Sequence, residues 1–250
     1  MKKHRSSQFL AICTAAVLAL SVPAWASQVS ITPLDTGNTT SSQSQSGASE
    51  PSTAQNTSGQ TVDISSITKP TVASQGAVLL NAADGSVLFS KNGDTTYYPA
   101  SITKLMTALL VAENCNLDDT VTFSATATTN LESGAVSIGM AEGDTMTVRQ
   151  CLYALLLKSA NEVGNALAEH VAGSNAAFAE KMNAKAASLG CTNTHFANPH
   201  GLNDPNHYTT PHDMALIARA AFANDIVKTV ASTRTYTLPG YEKTILPVLP

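Results

Sequence analysis

Two short apolar runs, Ala77-Val78-Leu79-Leu80 and Val87-Leu88-Phe89-Ser90, flank Ala83-Asp84-Gly85-Ser86. Asp-Gly between such runs predicts a β-hairpin, because the turn needs residues that tolerate positive φ. Asn92-Gly93-Asp94 predicts a further turn. Beyond Pro99 the apolar spacing lengthens to that of a helix, from Ser101 to about Cys115, with Leu105, Met106, Leu109 and Leu110 on one face. Thr120 to Ser124 predicts a brief strand. Helical spacing returns at Val148, Leu152, Leu155 and Leu156 and ends at Lys158. Glu162 to Val171 predicts a second helix stopped by Gly173. A third carries Phe178, Met182, Ala186 and Leu189 and stops at Gly190. Thr210-Pro211-His212-Asp213 is a helix start: Thr210 caps, Pro211 suits the first turn and Asp213 suits its positive end. A hairpin followed by a run of helices predicts an α+β fold, an antiparallel sheet covered by helices.

The N-terminus has a different pattern. Lys2, Lys3, His4 and Arg5 precede an apolar stretch from Phe9 to Val22, and Ala24-Trp25-Ala26 supplies the small residues a signal peptidase accepts. Residues 1–26 are expected to be a cleaved signal peptide, since the run is short of the ~20 apolar residues that span a bilayer. Ile12 is too bulky before Cys13 for a lipoprotein acceptor. Residues 27–61 are dominated by Ser, Thr, Gln, Asn and Gly, a composition that cannot bury enough surface to fold, and are expected to form a flexible linker. The apolar pattern of a folded core starts near Gly76.

Charge narrows the class of function. The formal net charge is −4, and losing Lys2, Lys3 and Arg5 leaves −7. No basic cluster survives in the mature part, which argues against nucleic acid. Cys115, Cys151 and Cys191 remain after the signal, in spacings that match no metal or disulfide framework, and read as buried apolar fillers, with a single disulfide as the lesser alternative. His195, His200, His207 and His212 fit no zinc spacing and read as loop and cap histidines.

Ser101-Ile102-Thr103-Lys104 carries the chemistry. A serine at the first turn of a helix has its N–H free at the positive end of the dipole. Lys104, three residues on, shares its face and can reach the hydroxyl. A serine hydroxyl becomes a nucleophile when a base takes its proton, and a lysine can be that base if burial among Leu105, Met106 and Leu109 lowers its pKa. The Ser101 N–H can then serve as one oxyanion donor. The tetrapeptide alone is equally a helix cap followed by a solvated lysine. Ser159-Ala160-Asn161 changes the balance, because it falls between two predicted helices where a short loop can point polar groups into a cleft. Ser159 can relay a proton from Lys104 to a leaving amine. Asn161 offers a carbonyl and an amide to Lys104 and to a substrate backbone. The competing reading makes Ser159 or Asn161 the cap of the next helix.

Together the two motifs resemble the S-x-x-K and S-x-N of penicillin-binding proteins and class A β-lactamases. From about Gly76 to Pro239 the chain is similar to the low-molecular-weight penicillin-binding D-alanyl-D-alanine carboxypeptidases. Tyr98 to Thr107 matches the nucleophile segment. Leu156 to Glu162 matches the second motif, with Glu162 where Asp is commoner. Phe178 to Asn183, Asn198-Pro199-His200-Gly201-Leu202 and Tyr208 to Asp213 are also similar. The resemblance implies a penicillin-binding/β-lactamase-like transpeptidase fold with a helical subdomain over residues 62–250. It implies Ser101, Lys104 and Ser159 as catalytic residues and Asn161 as substrate-binding, with no cofactor. It implies an exported enzyme on the outer side of the membrane that trims D-Ala from peptidoglycan stem peptides and takes β-lactams as covalent inhibitors.

The family's third motif, Lys-Thr-Gly on an edge strand, is expected about a hundred residues after Asn161. No such tripeptide occurs; Lys228-Thr229-Val230 and Lys243-Thr244-Ile245 share two letters. The expectation is that the chain stops short of that strand, is a poor catalyst as given, and would carry any membrane anchor beyond Pro250. Two other readings compete. A β-lactamase would need the E-x-x-L-N segment of class A enzymes, which is missing. A non-catalytic wall-binding or sensor protein on the same fold would account for the missing Lys-Thr-Gly.

Overall fold

The computed structural model describes residues 70–129, 131–239 and 243–245. The expected signal peptide and the whole of the expected linker lie outside the described residues, as does the start of the expected domain.

The predicted hairpin is present as β1 (Ala77–Leu80) and β2 (Val87–Lys91), antiparallel, with an irregularity in register between Leu79 and Leu80. Gly85 supplies the positive φ of the turn, at +80°. Arg219, from a helix described below, donates to the carbonyls of Ala82 and Ala83 and clamps that turn to the body. A 3₁₀ turn, Ala100–Thr103, then leads directly into α1 (Lys104–Asn114). Next come β3 (Thr120–Thr122), the short α2 (Ala125–Thr129) and β4 (Thr145–Thr147), which pairs with β3. Helices α3 (Val148–Leu157), α4 (Asn161–Ala172) and α5 (Asn175–Ser188) follow. A long connection leads to α6 (Pro211–Ala223) and α7 (Asp225–Ala231), and β5 (Tyr236–Leu238) pairs with β6 (Lys243–Ile245).

Local chemistry sets the helix boundaries. Thr147 and Gln150 form a reciprocal capping box at the start of α3. The Thr210 hydroxyl accepts from the Asp213 N–H, as expected from the sequence. Asp213 does more than favour the helix dipole: its buried carboxylate accepts from the Asn193 N–H and the Thr194 hydroxyl, pinning the connection to α6. The core forms where the apolar faces meet, through Met106 and Leu109 of α1, Leu152 and Leu155 of α3, Val163 and Leu167 of α4, and Phe178 and Met182 of α5, all buried. The fold is α+β as read from the sequence. Its strands, among the described residues, form three separate two-stranded antiparallel ladders rather than one sheet.

Cys151 and Cys191 are buried, Cys115 is half-buried, and all three are free thiols. No helix among the described residues is long and apolar enough to cross a membrane.

Candidate active site

Ser101 sits on the 3₁₀ turn that opens α1, exposed at its surface. The residue before it, Ala100, has φ of +50°, a conformation that costs free energy for any residue with a Cβ. Across the gap, Ser159 lies in the loop joining α3 to α4 and also adopts positive φ, +63°. Ser159 faces Ser101, the residue after Ala100, and its hydroxyl donates to Ser101 Oγ at 2.9 Å. A cleft of about 230 Å³ opens here, lined by Ser101, Ile102, Lys104, Leu105, Leu155 and Ser159, among others.

Lys104 is almost wholly buried, with 2 % of its surface exposed. It is therefore not the solvated side chain of the competing reading. Its Nζ donates to His200 O at 2.7 Å and to Asn161 Oδ1 at 2.9 Å, and lies 3.2 Å from Ser101 Oγ. The two shorter bonds go to carbonyl oxygens, which can only accept, so they consume two N–H groups. In the neutral amine the remaining position is a lone pair, directed at the Ser101 hydroxyl. Burial pushes the Lys104 pKa down to about 7, against an opposing upward pull from the Glu162 carboxylate. A neutral amine beside a serine hydroxyl near neutral pH can take the proton as the serine attacks a carbonyl carbon.

Asn161 is buried at the first position of α4, and the cap residue is Ala160, which makes no side-chain cap bond. Neither Ser159 nor Asn161 serves as a helix cap. The Asn161 carboxamide is engaged at both ends: Oδ1 accepts from Lys104, while Nδ2 donates to Val136 O at 2.9 Å. The Asn161 backbone N–H also donates to Val136 O.

The geometry adds a wall that reasoning from side-chain motifs did not assign a role. The loop Asn198–Leu202 lies under the nucleophile turn and works through its backbone. His200 O accepts from Lys104 Nζ, and Pro199 O accepts from the Thr107 hydroxyl at 2.6 Å. Asn198 shapes the loop by accepting from the N–H groups of His200 and Gly201 and donating to Leu202 O. Gly201, at φ +86°, passes so close to the turn that a Cβ there would stand 1.9 Å from Ala100 O. Only glycine fits. The signal in the sequence was the Asn-Pro-His-Gly run, whose turn chemistry marks a tight loop without saying which carbonyl it presents.

Two of the four histidines belong to this wall. His207 is buried; its Nδ1 accepts from the Ala197 N–H, so Nε2 carries the proton donated to Thr103 Oγ1 at 2.8 Å. His200 Nδ1 accepts from the Leu202 N–H. Burial depresses the pKa of His207 to about 4, and burial together with Lys104 and His207 depresses that of His200 to about 3. Both rings are therefore neutral structural donors and acceptors beside the site. Among the described residues no cluster of His, Cys, Asp or Glu is arranged to hold a metal ion.

Comparison with known proteins identifies the family. Residues 63–243 match the model of the D-alanyl-D-alanine carboxypeptidase family. The D-alanyl-D-alanine carboxypeptidase of Streptomyces sp. strain K15 is 39 % identical over 190 residues, covering 71 % of this chain and 64 % of the relative. The Bacillus subtilis enzyme DacF is 38 % identical over 150 residues, covering 58 % of this chain and 38 % of the relative. A crystal structure of a Mycobacterium tuberculosis D-alanyl-D-alanine carboxypeptidase superposes with a TM-score of 0.68 at 32 % identity, covering 74 % of this chain and 70 % of that one. The chain thus spans less than two thirds of the length of these two curated relatives. With the family model matching most of its length, the chain belongs to the D-alanyl-D-alanine carboxypeptidase family.

Proposed function

We propose that this protein is a serine-type D-alanyl-D-alanine carboxypeptidase that removes the terminal D-Ala from peptidoglycan stem peptides on the outer side of the membrane. Ser101 is the nucleophile. Neutral Lys104 accepts its proton as Oγ bonds to the carbonyl carbon of the penultimate D-Ala. The Ser101 N–H, at the positive end of α1, donates to the developing oxyanion. The proton passes through the Ser159 hydroxyl to the amine of the departing D-Ala as the C–N bond breaks, leaving an ester on Ser101. Water then attacks the ester with Lys104 again as base, and Ser101 regains its proton. Asn161 holds Lys104 in line, and its amide can turn from Val136 to a substrate backbone carbonyl. β-Lactams enter by the same attack and remain as the ester.

The observation that carries this reading is the contact of Lys104 Nζ, buried and depressed in pKa, with Ser101 Oγ at 3.2 Å, with Ser159 bonded to the same oxygen. The decisive assay follows D-Ala release from a synthetic peptide ending in D-Ala-D-Ala. The full-length protein should release it, and Ser101→Ala should not. Hydrolysis of penicillin with no release from the peptide would favour a β-lactamase, and inertness toward both would favour a wall-binding protein.

A further inference from the structure

Glu162, one residue beyond Asn161, is 1 % exposed, and no step above uses it. Its Oε1 accepts three hydrogen bonds from one short stretch of loop: the Ser137 hydroxyl and Ile138 N–H, each at 2.6 Å, and the Gly139 N–H at 3.1 Å. Its Oε2 accepts none among the described residues. A buried carboxylate with one bare oxygen is costly, and a fold that needed only a loop anchor could use a neutral acceptor. The loop it gathers is the one whose Val136 O receives both the backbone N–H and the side-chain amide of Asn161. Asn161 in turn receives Lys104. The chain of contacts runs from Glu162 through Val136 and Asn161 to the amine beside the nucleophile.

We infer that Glu162 is a positioning residue for the acylation step: its carboxylate fixes the 136–139 loop so that Asn161 is held against Lys104. This rests on the serine–lysine mechanism proposed above. The electrostatics support it. Of the charged groups on elements packed around α1, Lys158 is exposed at the end of α3, Lys185 of α5 pairs with Glu113, and Asp213 of α6 is satisfied by Asn193 and Thr194. His200 is held neutral, and the Glu162 carboxylate raises the Lys104 pKa against burial. Without it, burial alone would act on the amine and its pKa would fall further.

The test compares the pH dependence of β-lactam acylation in the full-length wild-type protein, Glu162→Gln and Glu162→Asp. Glu162→Gln keeps an oxygen for the loop but removes the charge, so the acid limb of the rate profile should move to lower pH. Glu162→Asp keeps the charge and shortens the reach. Its acid limb should stay nearer the wild-type position while its plateau rate falls, by up to about 10²-fold if Asn161 is displaced. A purely structural carboxylate would alter yield and melting temperature while leaving the limb in place, and that outcome overturns the inference. Should Glu162→Gln fail to fold, Ser137→Ala decides. It removes one exposed donor to Glu162 and should lower the plateau several-fold, and an unchanged rate counts against the inference. Failure of wild-type acylation at Ser101 would instead sink the mechanism on which the inference rests.

Discussion

At the residue scale the site is governed by one buried amine. Lys104 was singled out from its spacing to Ser101, and Ser159 and Asn161 from their place between two helices. All four converge within hydrogen-bond reach. Spacing of that kind is legible because an α-helix puts residues three apart on one face. The partners that supply backbone atoms were not legible, since a carbonyl such as His200 O has no residue-type signature. With a Lys104 pKa of about 7, the reactive amine is neutral above that pH and protonated below it. Acylation of Ser101 should therefore climb as pH rises through about 7 and level off above it, which stopped-flow β-lactam binding from pH 5 to 9 would read; a flat profile would remove Lys104 as base. Lys104→Arg keeps the positive charge but cannot release it at working pH, so acylation should drop by ~10²–10⁴ while circular dichroism stays native. Near-normal acylation in that variant would contradict the mechanism.

At the scale of elements, the helices were read closely because their signals are local. Gly173 ends α4 in a left-handed turn, and Thr210 caps α6. The loop that closes the site from below was harder, because its purpose depends on a turn about a hundred residues earlier in the chain. Gly201 tests that relation. Gly201→Ala sets a methyl against Ala100 O and forces an L side chain into positive φ, so it should cost about 3 kcal/mol or more in stability and lower acylation in the fraction that folds. Thr210→Ala is the contrast: it should cost about 1 kcal/mol, visible in a denaturant midpoint, with the acylation rate of the folded protein unchanged. Equal loss of activity in both variants would mean that general destabilisation, not the loop's grip on the nucleophile turn, controls the site.

At the scale of the whole molecule, the α+β class was legible from the change of period between residues 77–91 and the helices that follow. The arrangement of strands was not. The sequence suggested one sheet, whereas the described strands pair only with their nearest partners; alternation along a strand shows which side chains can face a core, not which strand lies alongside. What joins the parts is the buried cluster shared by α1, α3, α4 and α5, which brings the start of α1 beside the start of α4 and so places two motifs 58 residues apart on one oxygen atom. The central claim is that this oxygen, Ser101 Oγ, is the nucleophile. The most direct measurement is peptide mass spectrometry of the full-length protein after reaction with a penicillin. The account predicts one penicilloyl adduct on the peptide containing Ser101, absent in Ser101→Ala. An adduct on Ser159 or any other residue, or undiminished labelling of Ser101→Ala, would contradict it.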